Sequence, residues 1–224
     1  PSPAAVPPIQ AGLQPMLAIG DLHAAYGQSE VLHGFDIAVA PGEIVAVMGR
    51  NGMGKTTLMK AMMGVIPTKS GSVNVGDVDI TGMKSYRRVA NGIAYVPQGR
   101  MIFSTMTVQE NIQTGLTVTG ESAVPENIYE LFPVLLEMKG RRGGNLSLGQ
   151  RQLISFARAL VADTRILVLD EATANIDSYT ERQIQKALTT LLKGRTGMVI
   201  AHRLATIRNA DRIIVLQHLS LNHI

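Results

Sequence analysis

The chain has 224 residues, 46% of them hydrophobic and 17% charged, with no cysteine and a formal net charge of +4. These values exclude a disordered chain, a disulfide scaffold, thiolate zinc sites and cysteine catalysis, and they suit one α/β domain with a smaller insert. The basic pairs before the C-terminal third, Arg87-Arg88 and Arg141-Arg142, read as solvated surface, so the positive charge forms no nucleic-acid stripe.

Residues 1–16 carry Pro1, Pro3, Pro7, Pro8 and Pro15 among small residues and read as a flexible tail or linker. No apolar stretch reaches the roughly 20 residues that span a bilayer, and the N-terminus lacks a secretory pattern, which implies a cytosolic chain. Strand patterns follow at 17–22, 31–39 and 43–48, punctuated by Gly27, Gly34 and Pro41-Gly42. The run Ile44-Val45-Ala46-Val47-Met48 is apolar on both faces, as a buried parallel strand should be, and a glycine-rich turn leads from it to a helix over 55–63. After a strand at 92–96, short helical patterns mixed with Pro125, Pro133 and glycines run to about Asn145 and read as an inserted helical subdomain, about 99–145. Leu153, Ile154, Ala157, Leu160 and Val161 mark one helical face, and a buried strand follows at 165–169. Ile184, Ala187, Leu188, Leu191 and Leu192 mark a second helix, with core strands at 198–201 and 212–216. Such alternation implies a largely parallel sheet covered on both faces, with ligands at the carboxyl ends of its strands. Met48, Met53, Met59, Met62 and Met63 read as adaptable packing around the first helix, and His23 and His33 lack metal-ligand spacing.

Between the strand at 43–48 and the helix lies Gly49-Arg50-Asn51-Gly52-Met53-Gly54-Lys55-Thr56-Thr57, a match to G-x-x-x-x-G-K-[ST] in its confirming setting. Glycines let successive N–H groups curl around phosphate oxygens, Lys55 neutralises the β and γ phosphates, and Thr56 can ligate Mg²⁺. Thr57 supports the α-phosphate. Downstream, Ile166-Leu167-Val168-Leu169 delivers Asp170 and Glu171 to a strand end. Asp170 suits the Mg²⁺ shell and Glu171 suits activation of the attacking water. Leu146-Ser147-Leu148-Gly149-Gln150 opens the next helix, where Ser147 and Gln150 also form an S-x-x-Q capping box.

That last segment resembles the LSGGQ signature of ATP-binding cassettes, with leucine in the third position, and residues 17–217 resemble the family throughout. The resemblance implies an α/β P-loop NTPase of ABC type, with a mostly parallel core sheet, an antiparallel β subdomain and the helical insert. It implies that Ser147, Gly149 and Gln150 face the γ-phosphate bound by an opposite subunit. Tyr26 is similar to the aromatic that stacks on adenine, Gln98 to the residue that senses Mg²⁺ and water, and His202 to the switch histidine near the γ-phosphate. Asn175-Ile176-Asp177 resembles the loop that crosses the dimer interface. Taken singly, each of these residues reads more readily as structural: Tyr26 as core, Gln98 as a turn residue after Pro97, His202 as a satisfied surface histidine, and Asp177 and Ser178 as helix caps, with Glu181 completing a Ser178-x-x-Glu181 capping box. The implied catalytic set is Glu171, His202 and Gln98; Thr56, Gln98 and Asp170 are the implied magnesium residues. Gly49, Asn51, Gly52, Gly54, Lys55 and Thr57 complete the ATP site. The implied partners are a second copy or related ABC ATPase subunit and a transmembrane permease subunit, at the cytoplasmic face of the inner membrane, with no specific nucleic acid.

Residues 17 to about 145, including Tyr95-Val96-Pro97-Gln98-Gly99-Arg100, resemble cassettes of importers for branched-chain amino acids or urea. From Leu146 onward the chain resembles exporter cassettes, as in Asp170-Glu171-Ala172-Thr173-Ala174-Asn175-Ile176-Asp177. A recombined or engineered chimera accounts for this, and a divergent natural cassette is the alternative. The family continues beyond the stretch that ends in Leu221-Asn222-His223-Ile224, which reads as a shortened C-terminus with an exposed final strand. Two other functions remain open: a soluble cassette acting on nucleic acid or the ribosome, and a chimera that binds ATP without coupling it to work.

Overall fold

The computed structural model describes residues 14–97, 101–170, 178–200, 210–217 and 220–223. Strand β1 (Leu17–Tyr26) turns through Gly27 and Gln28 into β2 (Ser29–Val39), and its other edge takes β4 (Thr68–Val75), followed by β5 (Val78–Asp79). The result is an antiparallel sheet in the order β2-β1-β4-β5. A second sheet contains β3 (Ile44–Gly49), β6 (Ile93–Val96), β7 (Ile166–Asp170), β8 (Thr196–Ile200), β9 (Arg212–Gln217) and β10 (Ser220–His223). Its order is β10-β9-β3-β8-β7-β6; β10 is antiparallel and the other pairings are parallel. The expected architecture of a mostly parallel core sheet with an antiparallel companion is therefore present.

Side chains alternate across a strand, so the parallel sheet separates two cores. Val45, Val47, Ile166, Val168, Met198, Ile200, Ile214 and Leu216 face helix α1 (Lys55–Met62) and the buried face of the antiparallel sheet. Met59, Met62 and Met63 fill that core, in agreement with a packing role for the methionines. On the other face, Ala94, Val96, Leu167, Leu169 and Val199 meet α6 (Leu148–Val161) and α7 (Ser178–Leu192). Helices α3 (Val108–Gln113), α4 (Glu126–Leu131) and α5 (Pro133–Glu137) join this second core through Ile112, Ile128 and Leu135. The segments on either side of Asn145 thus share one interior, and β6 pairs directly with β7. Among the described residues no helix is long and apolar enough to cross a membrane.

Among the described residues, β4, β5 and α2 (Ser85–Ala90) escape the hydrophobic pattern. The first part of β4, Lys69-Ser70-Gly71, is exposed, and only Val73 and Val75 are buried, so alternation is too short to announce a strand. Strand β1 also runs four residues past the expected end at Leu22, because Ala24 and Ala25 are small residues buried within the hairpin.

Arg88 corrects the reading of Arg87-Arg88 as solvated surface: it is 2% exposed. Its Nη1 donates to Ala61 O and Met62 O at 3.1 and 2.6 Å, and its Nε donates to Met83 O at 2.9 Å. Nη2 donates to Thr81 O at 2.5 Å. One guanidinium therefore satisfies the last carbonyls of α1, where a cation also complements the helix dipole, and ties them to the segment that enters α2. The Arg88→Met variant leaves Met62 O, Thr81 O and Met83 O without this donor, while Ala61 O keeps the Gly64 N–H, and should lose about 3 kcal/mol of stability, read as a lower urea midpoint at unchanged slope.

Candidate nucleotide-binding site

Strand β3 ends at Gly49, whose φ is 146°, and an added Cβ there would stand 2.7 Å from Leu216 O. The turn closes at Gly54, which has φ 82° and lies against β2: its Cβ would meet Val31 Cγ1 and Leu32 Cδ2, both at 3.3 Å. Only glycine satisfies both the left-handed backbone and the close approach. Helix α1 opens directly at Gly54 with no side-chain cap and no acidic residue in its first turn. The first amide N–H groups of a helix have no acceptor within the helix, and the helix dipole favours an anion at this end.

Lys55 is buried, and its Nζ donates to Gly49 O and Arg50 O at 2.8 and 2.9 Å, so the ammonium is drawn back along the loop. Thr57 is buried beside it, whereas Asn51 and Gly52 lie on the exposed outer turn. The Thr56 hydroxyl donates to Asp170 Oδ1 at 3.3 Å, joining the start of α1 to the end of β7. Asp170 has 0% exposure, and its Oδ2 accepts a hydrogen bond from the Tyr95 hydroxyl at 3.2 Å. Burial, and then the adjacent carboxylate, push the Tyr95 phenol far above its ordinary range, so it remains a donor. A buried carboxylate beside a hydroxyl is an oxygen donor set that fits Mg²⁺, and the glycine turn fits a phosphate chain.

Tyr95 is the site residue that sequence reasoning left without a role. Its signal was available only through pairing: β6 lies alongside β7 with Tyr95 opposite Val168, two residues before Asp170. Ser147 is the N-cap of α6; Gln150 N donates to its Oγ at 3.3 Å, and Ser147 N donates to Gln150 Oε1 at 2.9 Å. The expected capping box is therefore formed. Gly149 is buried in the first turn, while Leu148 is exposed beside it. Tyr26 ends β1 at the hairpin tip and is 46% exposed, so its ring is not the core residue of the alternative reading. The structure thus gathers Gly49, Gly54, Lys55, Thr56, Tyr95 and Asp170, and sets Ser147, Gly149 and Gln150 on the separate start of α6. Gln98, Glu171, His202 and Asn175-Ile176-Asp177 lie outside the described residues.

A buried parallel strand that breaks at glycine into a helix, with a magnesium-suited carboxylate one strand beyond its neighbour, defines a P-loop nucleotide-binding domain. Residues 32–174 match the family described as ABC transporter. The chain belongs to that family, as its ATP-binding ATPase cassette. It is 42% identical over 198 residues to the "Uncharacterized ABC transporter ATP-binding protein YknV" of Bacillus subtilis, covering 84% of this chain and 32% of that protein. It is 42% identical over 205 residues to the "ATP-dependent lipid A-core flippase" of Burkholderia pseudomallei, covering 86% of this chain and 34% of the flippase. The crystal structure of the ADP conformation of MJ1267, an ATP-binding cassette of an ABC transporter, superposes with a TM-score of 0.73 at 26% identity, over 93% of this chain and 89% of that one. The chain spans about a third of the length of these two curated relatives.

The cap on α6 has a measurable weight of its own. The Ser147→Ala variant should lower stability by about 1 kcal/mol through the lost cap, read in urea denaturation without nucleotide.

Proposed function

We propose that two of these cassettes close head to tail around Mg-ATP and that its hydrolysis drives transport by a membrane-embedded partner. The observation that carries the proposal is the Thr56 to Asp170 contact, which sets a hydroxyl and a buried carboxylate at the mouth of an uncapped helix behind a glycine turn. Lys55 leaves its two loop carbonyls to neutralise the β and γ phosphates, and Thr57 and the amides from Gly52 to Thr56 hold the remaining oxygens. Thr56 and Asp170, with Gln98, would hold magnesium, which supplies charge neutralisation at the phosphates when bound. Tyr95 orients Asp170 and keeps it acceptor-ready. Glu171 takes a proton from the attacking water, Gln98 positions that water, and His202 senses the γ-phosphate, as the family resemblance implies. Tyr26 stacks on adenine. Ser147, Gly149 and Gln150 act on the nucleotide of the opposite copy, with exposed Leu148 available to the same interface.

Transport requires a surface for the membrane partner. A cavity of about 360 Å³ lies between the end of α1, α2, the end of β6, Met101, residues 114–118 and α6. Its wall includes Tyr86 and Met101, which are 65% and 66% exposed, together with Val118 and Arg158. Exposed apolar side chains around a concave site suit an apolar segment of a transmembrane permease subunit. Most of that wall belongs to the segment before Asn145, so the importer-like half selects the partner, while the half that begins at Leu146 supplies the dimer contacts. A chimeric origin makes loss of coupling the decisive alternative. The relatives include proteins named as flippases, which supports movement of a substrate across a membrane as the work performed.

The composite site predicts Mg²⁺-dependent ATP hydrolysis whose rate per subunit rises with protein concentration, as measured by phosphate release. A rate per subunit independent of concentration would remove the head-to-tail arrangement. Glu171→Gln should retain ATP binding, lower turnover by about 100-fold or more, and accumulate a dimer in light scattering. Asp170→Asn should weaken nucleotide binding in excess Mg²⁺ by about tenfold and much less in EDTA, as measured by calorimetry.

A further inference from the structure

The nucleotide site is braced from outside by the β1–β2 hairpin. Tyr26 ends β1, and Val31 and Leu32 of β2 line the space beside Gly54 so closely that an added Cβ there would stand 3.3 Å from each; α1 starts from this residue. Immediately beside these residues lies an ion-pair cluster that neither the phosphate chemistry nor the dimer contacts use. His23 Nδ1 is 2.6 Å from Glu30 Oε1, and His23 Nε2 is 3.2 Å from Asp21 Oδ1. His33, opposite His23 in the strand register, reaches the same Glu30 oxygen at 3.5 Å, and Lys69 of β4 reaches Glu30 Oε2 at 3.3 Å. Asp36 of β2 accepts the Asp21 backbone N–H at 2.8 Å, and Asp21 holds a left-handed φ of 45°.

The cluster sits where β1 and β2 are irregular. Register shifts fall between Leu22 and His23 and between Ala24 and Ala25, so backbone pairing alone holds this part of the hairpin less firmly. His23 spans the irregularity: one ring nitrogen faces Asp21 on its own strand, and the other faces Glu30, one residue before Val31. Both ring nitrogens donate only when the imidazole is charged.

We infer that His23 is a positioning residue for nucleotide binding: its protonated ring clamps the hairpin that carries Tyr26 and packs beside Gly54. The inference rests on the nucleotide reading of the glycine loop given above. Glu30, and then Asp21, raise the His23 pKa against the opposing effect of burial, and His23, and then Lys69, lower that of Glu30. The sign follows. A histidine whose folded pKa is raised contributes its full stabilisation below its unfolded value, near 6.5, and loses it as pH rises through the folded value. Glu30 stays ionised across that window, so the imidazole is the group that switches. The clamp therefore tightens nucleotide binding at low pH and releases it at high pH.

Calorimetric titration of the full chain with ADP between pH 6 and 9 tests this, as the ratio of His23→Gln to wild-type Kd. The ratio cancels the titration of the nucleotide itself. It should be about threefold at pH 6 and approach one by pH 9, the size expected of a solvent-accessible ion pair. Glu30→Gln should give the same pH trend, and the double variant should lose no more than the single ones. A ratio above one but flat with pH marks His23 as a structural residue only and overturns the inference; a ratio of one throughout overturns it as well. A Lys55→Ala variant that binds ADP as tightly as wild type overturns the underlying nucleotide reading instead. A Lys55→Ala loss combined with a flat His23→Gln ratio leaves that reading standing and removes the clamp.

Discussion

A carboxylate with no solvent exposure is unstable as an anion unless its oxygens are hydrogen-bonded, and Asp170 meets that requirement through hydroxyls from two other elements. Thr56 comes from the first turn of α1 and Tyr95 from β6, so three segments far apart in sequence must end at the same level of the sheet. The parallel pairing of β6 with β7, and of β7 through β8 to β3, provides that alignment. Strand ends, glycine turn and helix start then converge on one point. The rest of the molecule is arranged around keeping them there.

Two cores do so from opposite faces. The first braces α1 between the parallel sheet and the antiparallel sheet, and Arg88 closes the far end of the same helix by satisfying carbonyls at its last turn. The start of α1 is thereby connected, through one short helix, to α2 and the exposed cavity beside it. The second core joins the helical segment to α6, so the capped start of α6 is referenced to the same β7 that carries Asp170. A partner bound in the cavity and a second cassette bound at Ser147 would both press on α6.

The antiparallel sheet has a more specific task than coverage. Its hairpin supplies Tyr26 and places Val31 and Leu32 against Gly54, which makes the glycine turn a packed feature on one side. Local backbone pairing there is interrupted, and ionic contacts around His23 take over part of the work. Side-chain electrostatics on the hairpin therefore reach the glycine turn through its packing against β2.

The amino-acid sequence alone was enough to place the glycine turn, Lys55, Thr56 and the acid-tipped strand, because those features are contiguous: an uninterrupted apolar run ends in glycine or in aspartate, and local backbone geometry needs nothing further. The capping box at Ser147 was legible for the same reason, being a relation across three residues. Tyr95 and Arg88 were not. Tyr95 acquires its role only when β6 is laid beside β7, and Arg88 reads as one of two adjacent surface arginines until the last turn of α1 ends on top of it. The weakly patterned β4 and β5 likewise become strands only because β1 offers a free edge. Local sequence determined which groups this cassette carries for its nucleotide; the register of parallel strands and the burial they enforce decided which of those groups touch.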